Sequence, residues 1–244
     1  MSPPVFLAAT DALERSGPVV LDGPEGRHAA TVRRLRPGER VDLTDGAGLL
    51  AECVVTDAGR ASLTLDVLAR HRQPPPSPRV VVVQALPKGD RGELAVETMT
   101  EAGVDEIVPW SAARCVTQWR PERREKALGR WRNTAREAGK QARRSRFPEI
   151  ADLASTGDVA GRIAAASLAL VLHEEADAPL SAVEPPAEGD IVVVVGPEGG
   201  ITQDELDSLA GAGGRPTRLG PTVLRTSTAG VAAAAVLMAA TGRW

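Results

Sequence analysis

The chain reads as a small β domain followed by an α/β domain with a mostly parallel sheet. Three observations predict this. Before residue 71, short apolar runs alternate with turn residues, while after residue 79 valine-rich runs alternate with helical segments. Between them lies His71-Arg-Gln-Pro-Pro-Pro-Ser-Pro78, a proline-rich stretch that is stiff and extended. The expected division is a β domain over 1–73, a linker over 74–78 and an α/β domain over 79–244.

In the first part the candidate strands are Val19–Leu21, Arg40–Leu43, Leu49–Val55 and Ser62–Val67. Asp45-Gly46 and Asp57-Ala-Gly59 supply hairpin turns between them. Ser62–Val67 alternates with the period of a half-buried strand. Glu25 to Arg36 is a short basic helix stopped by Pro37-Gly38. It offers Arg33, Arg34 and Arg36 as phosphate contacts, and its His28 reads as structural or solvated.

The second part opens on a strand over Arg79–Leu86 carrying Val80 to Val83. A helix follows over Asp90–Gly103 with its glycine stop, then a strand over Asp105–Trp110. A long basic helix runs from Pro121 to Ser145, with Pro148 beyond its end. Ser167–Leu172 and Ile191–Val195 are strands. The second is an unbroken β-branched run, suited to a strand covered on both faces. Thr202 and Glu205 have capping-box spacing, so a helix starts there and runs to Ala212. Pro216–Leu219 is a short strand and Thr228–Ala240 an alanine-rich helix.

The 244 residues are 43% hydrophobic and 25% charged with a net charge of −3, an ordinary soluble composition. The longest apolar stretch, Ala229–Ala240, is too short to span a bilayer. No apolar run follows a basic start, so a cytoplasmic protein without a membrane partner is expected. Cys53 and Cys115 lack metal-ligand spacing and read as buried, reduced thiols, with no metal expected. Aromatic residues are 2% of the chain, which argues against a broad base-stacking surface. The small net charge conceals an asymmetry. Arg120 to Arg146 holds eleven Lys or Arg against three Glu. Such a block is either a solvated helix face or a surface for a phosphate-rich partner, and the size of the excess favours the partner. Arg136, Lys140, Arg143, Arg144 and Arg146 are its candidate contacts, with Lys88 and Arg91 upstream.

Open parallel sheets bind ligands beyond the carboxyl ends of their strands. Three loops leave such ends. The first is Leu172-His173-Glu174-Glu175. The second is Gly196-Pro-Glu198-Gly199-Gly200-Ile201. The third runs from Leu219 and Gly220 through Val223, Leu224, Arg225 and Thr226 to Thr228. Neither GxGxxG nor GxxxxGK[ST] is present. Backbone donors and small residues suit an adenosine-like ligand that the glycines let approach closely. The alternative is that Gly196, Gly199 and Gly200 serve a tight turn only.

Taken together, Gly196-Pro-Glu-Gly-Gly200 and Leu219-Gly-Pro-Thr-Val-Leu-Arg-Thr-x-Thr228 resemble the 16S ribosomal RNA uracil-N3 methyltransferase family of the SPOUT class. Lys88-Gly-Asp-Arg91, Thr100-Glu-Ala-Gly-Val104, Pro109 and Ser111 to Arg114 are similar to the family's entry segment. Glu137-Ala-x-x-Gln141, Arg144 and Pro148 are similar to its basic central helix, and Leu35-x-x-Gly38 to its PUA-like barrel. The resemblance covers nearly the whole chain. It implies a PUA-like RNA-binding barrel and a deep trefoil knot in the second domain. It also implies a homodimer formed through that domain and S-adenosylmethionine as methyl donor among the three loops, without a metal. The implied substrate is a uridine of 16S ribosomal RNA or the small ribosomal subunit. Two positions depart from the family pattern: Ser227 stands where its motif has Glu, and Thr98 where Lys is common.

The chemistry itself sets demands. Uracil N3 carries a proton and becomes a good nucleophile only when the proton leaves. The protein must align N3 with the methyl carbon and stabilise charge spreading onto O2 and O4. Arg91 and Arg225 are the candidates for that stabilisation, a structural salt bridge being the alternative for each. Glu198 is a candidate proton acceptor, or else orients its loop. Two other functions stay open. One is a SPOUT methyltransferase acting on a ribose 2′-hydroxyl or another base, the other a non-catalytic RNA-binding assembly factor.

Overall fold

The structure is a computed structural model and describes residues 2–244. It divides into two compact units. One comprises the residues up to Pro75 together with Arg136–Phe147, and the other comprises Pro76–Ala135 with Pro148–Trp244.

The first unit contains β1 (Val5–Leu7), α1 (Thr10–Glu14), β2 (Val19–Leu21), α2 (Gly23–Arg27), β3 (Arg40–Thr44), β4 (Leu49–Ala58) and β5 (Leu63–Arg72). The strands form one sheet in the order β1-β3-β4-β5-β2, parallel only where β1 meets β3. In β4 the alternate residues Leu49, Ala51, Cys53 and Val55 point inward and are buried. They meet Phe6, Leu13, Leu43 and Leu65 in a continuous core. The basic helix expected over Glu25–Arg36 is α2 continued by one wide π-turn over His28–Val32. His28 packs edge-on against Phe6, with 5.7 Å between ring centroids.

Strand β5 runs five residues beyond the expected Val67, because His71 and Arg72 pair with Leu50 and Leu49 of the long β4. Backbone hydrogen bonding thus claims the first part of the proline-rich stretch, and only the segment between Arg72 and Arg79 lacks regular structure. Strand β1 and helix α1 were not expected. Each is too short to show a period, and β1 exists through its pairing with β3.

The second unit contains β6 (Arg79–Ala85), α3 (Arg91–Ala102), β7 (Glu106–Trp110), α4 (Pro121–Gln141), β8 (Glu149–Ile150), α5 (Thr156–Ala165), β9 (Leu168–Leu172), β10 (Asp190–Val195), α6 (Gln203–Gly211), β11 (Arg215–Thr217) and α7 (Thr226–Ala240). The boundary between units falls inside α4, after Ala135. This differs from a division that keeps the whole basic helix with the second domain. Within the first unit, Phe147 lies where a Cβ on Gly139 would come to 2.5 Å, and Ser145 O accepts a 3.0 Å hydrogen bond from Thr44 Oγ1. These contacts explain the grouping of Arg136–Phe147. The helix also stops at Gln141, four residues short of expectation, and Arg143 then takes a left-handed backbone (φ 56°).

The sheet order is β11-β9-β10-β6-β7-β8, and every pair is parallel. Val80–Val83 and Ile191–Val195 are buried throughout, as expected of central strands covered on both faces. From β6 the chain steps outward to β7 and β8, then returns to the opposite side of β10. The carboxyl ends of β9, β10 and β11 therefore lie side by side. Helix α5 was not expected, although Ser155 and Asp158 form a complete capping box at its start.

Helix α7 lies against α3 with very close approach. A Cβ on Gly230 would come 2.7 Å from Met99 Sδ. Beyond α7, Arg243 donates to both oxygens of the buried Asp105, at 2.6 and 3.0 Å, and to Gly103 O at 3.2 Å. Asp105 also accepts from Val80 N at 2.8 Å. Removing the guanidinium leaves a buried carboxylate short of its counter-charge. Arg243→Met is expected to cost about 3 kcal/mol of stability, read as a lower urea midpoint; an unchanged midpoint would show the clamp to be dispensable.

Candidate active site

The loops after β9, β10 and β11 enclose a cleft of about 660 Å³. Leu172, His173 and Glu174 line it from the first loop, and Gly196, Glu198, Gly199, Gly200 and Ile201 from the second. Leu219, Gly220, Val223, Leu224, Arg225 and Thr226 line it from the third. The structure thus brings together the candidate donor-binding residues, with one exception. Thr228 is exposed and does not line the cleft. One turn into α7, its hydroxyl donates back to Arg225 O at 3.2 Å.

The second loop turns at Gly200 (φ +74°), and Gly200 N donates to Pro197 O at 2.9 Å. Gly199 is needed for a reason other than ligand approach. A Cβ there would lie 3.0 Å from Arg114 Cβ and 3.2 Å from Arg114 O, while Arg114 Nη1 donates to Gly199 O at 3.1 Å. At Gly220, by contrast, an added Cβ meets nothing within 4 Å. This is the glycine of the cleft where a side chain would enter open space.

One carboxylate behind the cleft ties its supporting segments together. Glu205, 6% exposed, accepts from Ala113 N (2.8 Å) and Thr156 Oγ1 (3.1 Å) on one oxygen. Its other oxygen accepts from Thr202 N (3.1 Å) and Thr202 Oγ1 (2.9 Å), completing the capping box of α6. Burial opposes its ionisation. The hydrogen bonds from Ala113, Thr202 and Thr156 outweigh burial and hold the carboxyl below the ordinary glutamate range. The expected capping role is therefore one part of what Glu205 does.

The rim is charged in both senses. Arg114, Arg218 and Arg225 line the cleft beside Glu174, Glu175 and Glu198. Arg225 is exposed and occupies the N-cap position of α7 without a side-chain cap, where the helix dipole adds partial positive charge. Arg91 is half-buried at the start of α3 and does not line the cleft. Neither Arg91 nor Arg225 has an ion-pair partner among the described residues. Glu198 is exposed and accepts from Lys88 N at 3.2 Å, tying the 86–90 loop to the second cleft loop. Ser227 is 3% exposed in the first turn of α7. Below it, Gln84 Nε2 donates to Thr226 O (3.2 Å) and Ala85 O (3.0 Å). Sequence reasoning overlooked Arg218, and met Arg114 only as the end of a family segment. No local pattern marks either, because strand ends converge only in the folded sheet.

Among the proposed RNA contacts of the first unit, Arg33, Arg34, Arg36, Arg136 and Arg143 are exposed and Arg144 is half-buried. Lys140 departs from this expectation. Its side chain is 4% exposed and its ammonium is held by Glu25 at 2.8 Å and Glu137 at 2.9 Å, so it braces the unit and cannot face a phosphate. Arg146 is likewise engaged, donating to Gln73 O at 3.0 Å. Cys53 and Cys115 are free and buried. Burial pushes the Cys53 thiol up to about 11 and raises that of Cys115, so neither is a nucleophile at neutral pH. No group of His, Cys, Asp or Glu among the described residues is arranged to hold a metal ion. No helix among them is long and apolar enough to cross a membrane.

With this geometry in place, comparison with known proteins is informative. Residues 74–238 match the family model described as an RNA methyltransferase domain, and residues 21–68 match that of an RNA methyltransferase PUA domain. Ribosomal RNA small subunit methyltransferase E of Mycobacterium tuberculosis (strain CDC 1551 / Oshkosh) is 50% identical, covering 98% of this chain and 93% of that protein. The protein of the same name from Bacillus subtilis (strain 168) is 28% identical, over 89% of this chain and 88% of its own. The crystal structure of a ribosomal RNA small subunit methyltransferase E from Neisseria gonorrhoeae bound to S-adenosyl methionine is also similar. It matches with a TM-score of 0.84 at 26% identity, covering 98% of each chain.

Because the Glu205 carboxyl is depressed, its stabilisation is complete above the ordinary glutamate pKa and is lost as pH falls through the lower folded value. Urea unfolding from about pH 6 to about pH 3 is expected to show a steeper loss of stability in the wild type than in Glu205→Gln. Parallel curves would mean that the charge contributes nothing.

Proposed function

This chain belongs to the ribosomal RNA small subunit methyltransferase E family, and on that premise we propose that it methylates N3 of one uridine in 16S ribosomal RNA, with S-adenosylmethionine as donor. The observation that carries the proposal is the convergence of three carboxyl-end loops on one cleft with a rim of mixed charge. S-adenosylmethionine combines an ammonium, a carboxylate, a sulfonium and an adenosine. Guanidinium and carboxylate groups on the rim match its charges, and the amides of the glycine-rich turns match its polar edges. Leu172, Ile201, Leu219, Val223 and Leu224 offer apolar surface for the adenosine. When bound, the donor supplies an electrophilic methyl group, so the protein's own task is to prepare the uracil.

Arg225 stands on the rim with a free guanidinium above the N-terminus of α7, suited to charge on uracil O2 or O4. Arg91, free but outside the cleft, is the weaker candidate for the same role. Glu198 accepts from Lys88 N with one oxygen, which orients the loop, and its other oxygen stays the candidate acceptor for the N3 proton. Ser227 offers a hydroxyl where the family pattern has a carboxylate, and it is buried. The β domain over 1–73 supplies Arg33, Arg34 and Arg36 to the RNA backbone, joined by Arg136, Arg143 and Arg144. The same reading includes the trefoil knot, a homodimer formed through the 79–244 domain and a cytoplasmic location.

Incubated with small ribosomal subunits and the donor, the protein is expected to yield N3-methyluridine in nucleoside mass spectrometry. A 2′-O-methyl product, or none, would overturn the assignment. Gly220→Val is expected to weaken donor affinity about tenfold or more, roughly 1.4 kcal/mol, in isothermal titration, with the melting temperature unchanged. Wild-type affinity in this variant would place the donor elsewhere.

A further inference from the structure

The second unit carries another cleft, of about 490 Å³, whose function the methyl-donor site does not explain. Aromatic residues are scarce in this protein, with four Trp, two Phe and no Tyr. Two of the four tryptophans nevertheless meet here. Trp119 and Trp131 pack edge to face with 5.1 Å between ring centroids and 84° between planes. Trp131 is 3% exposed and forms the floor, while Trp119 is only partly buried and lines the opening. Arg123, Lys126 and Arg130 of α4 stand along the same cleft. Arg130 is paired with Glu93 at 3.4 Å. Arg123 and Lys126 are exposed and have no carboxylate partner among the described residues.

A half-exposed indole lining a cleft beside two unneutralised cations is the chemistry that receives a nucleobase and its phosphate. Protein segments are less well served, because the rim carries three cations against the one carboxylate of Glu93. The cleft is also tied to the donor site. The 86–90 loop lines it through Pro87 and Gly89, and the same loop bonds Glu198 through Lys88 N. Thr117 Oγ1 fixes this loop to the next by donating to Pro87 O at 2.8 Å. Arg114 of the donor cleft and Trp119 are five residues apart, so their backbones lie within about 17 Å, a reach of a few nucleotides.

The geometry points to a nucleotide-binding subsite at Trp119, which takes a single-stranded RNA nucleotide neighbouring the one that is methylated. The base lies against the Trp119 indole, and its phosphate meets Arg123 and Lys126. The inference rests on the methyltransferase reading for the identity of the RNA, but not for its own test.

The test is fluorescence titration of the full-length protein with a labelled single-stranded RNA of about twelve nucleotides, alongside isothermal titration with S-adenosylmethionine. Trp119→Ala is expected to weaken RNA binding about tenfold and to leave donor affinity unchanged. Trp119→Phe should recover most of the loss, which separates stacking from misfolding. Arg123→Ser with Lys126→Ser should lower the slope of log affinity against log salt by about 1.4. Wild-type RNA affinity in Trp119→Ala overturns the subsite. So does a changed sedimentation coefficient with RNA affinity intact, which assigns the cleft to a protein. RNA binding that depends on Trp119 in a protein that transfers no methyl group supports the subsite while refuting the methyltransferase reading.

Discussion

A buried carboxylate can persist only if its lone pairs are satisfied, and Glu205 satisfies four donors from three separate segments. Ala113 belongs to the loop after β7, Thr156 to the start of α5, and Thr202 to the end of the glycine turn after β10. Joined at one charge, they hold the segment beside Arg114, whose guanidinium meets Gly199 O on the donor cleft. The arrangement resembles a keystone, since one charge is shared by three segments that are distant in sequence. Asp105 does similar work on the far side of the sheet, where it holds Val80 N and Arg243.

Much of the fold was legible because two-sided burial leaves a signature. Ile191–Val195 and Val80–Val83 carry no polar alternation, and both became central parallel strands. The Thr202–Glu205 pair announced the start of α6 correctly for a local reason, the reciprocal cap. The same spacing stands at Ser155–Asp158, but with Asp in place of the Glu or Gln that marks the box in sequence, so α5 carries a weaker start signal. The cleft loops were legible as glycine-rich turns at strand ends. Their convergence with Arg114 and Arg218 was not, since it depends on β11 lying beyond β9 in the sheet. Strand order is a long-range property that no window of sequence contains.

The basic block from Arg120 to Arg146 shows how composition can mislead at single residues. Read along the chain, its cations look alike. In the fold they have three fates. Lys140 is neutralised in the interior by Glu25 and Glu137, Arg132 pairs at the surface with Asp152, and Arg123 and Lys126 remain unpaired beside an aromatic cleft. The functional signal lies in which charges lack a partner, and only side-chain geometry reveals that.

The donor cleft is assembled almost entirely from residues 172 to 229, with Arg114 the one contributor from earlier among the described residues. A small molecule that binds there recognises only chains whose final three strands are already in place, and so acts as a sensor of completed folding. By mass action, a ligand at a hundredfold excess over its dissociation constant adds about 2.7 kcal/mol to the native state. In a cell that keeps such a metabolite abundant, the metabolite would serve this protein as a chaperone as well as a reagent.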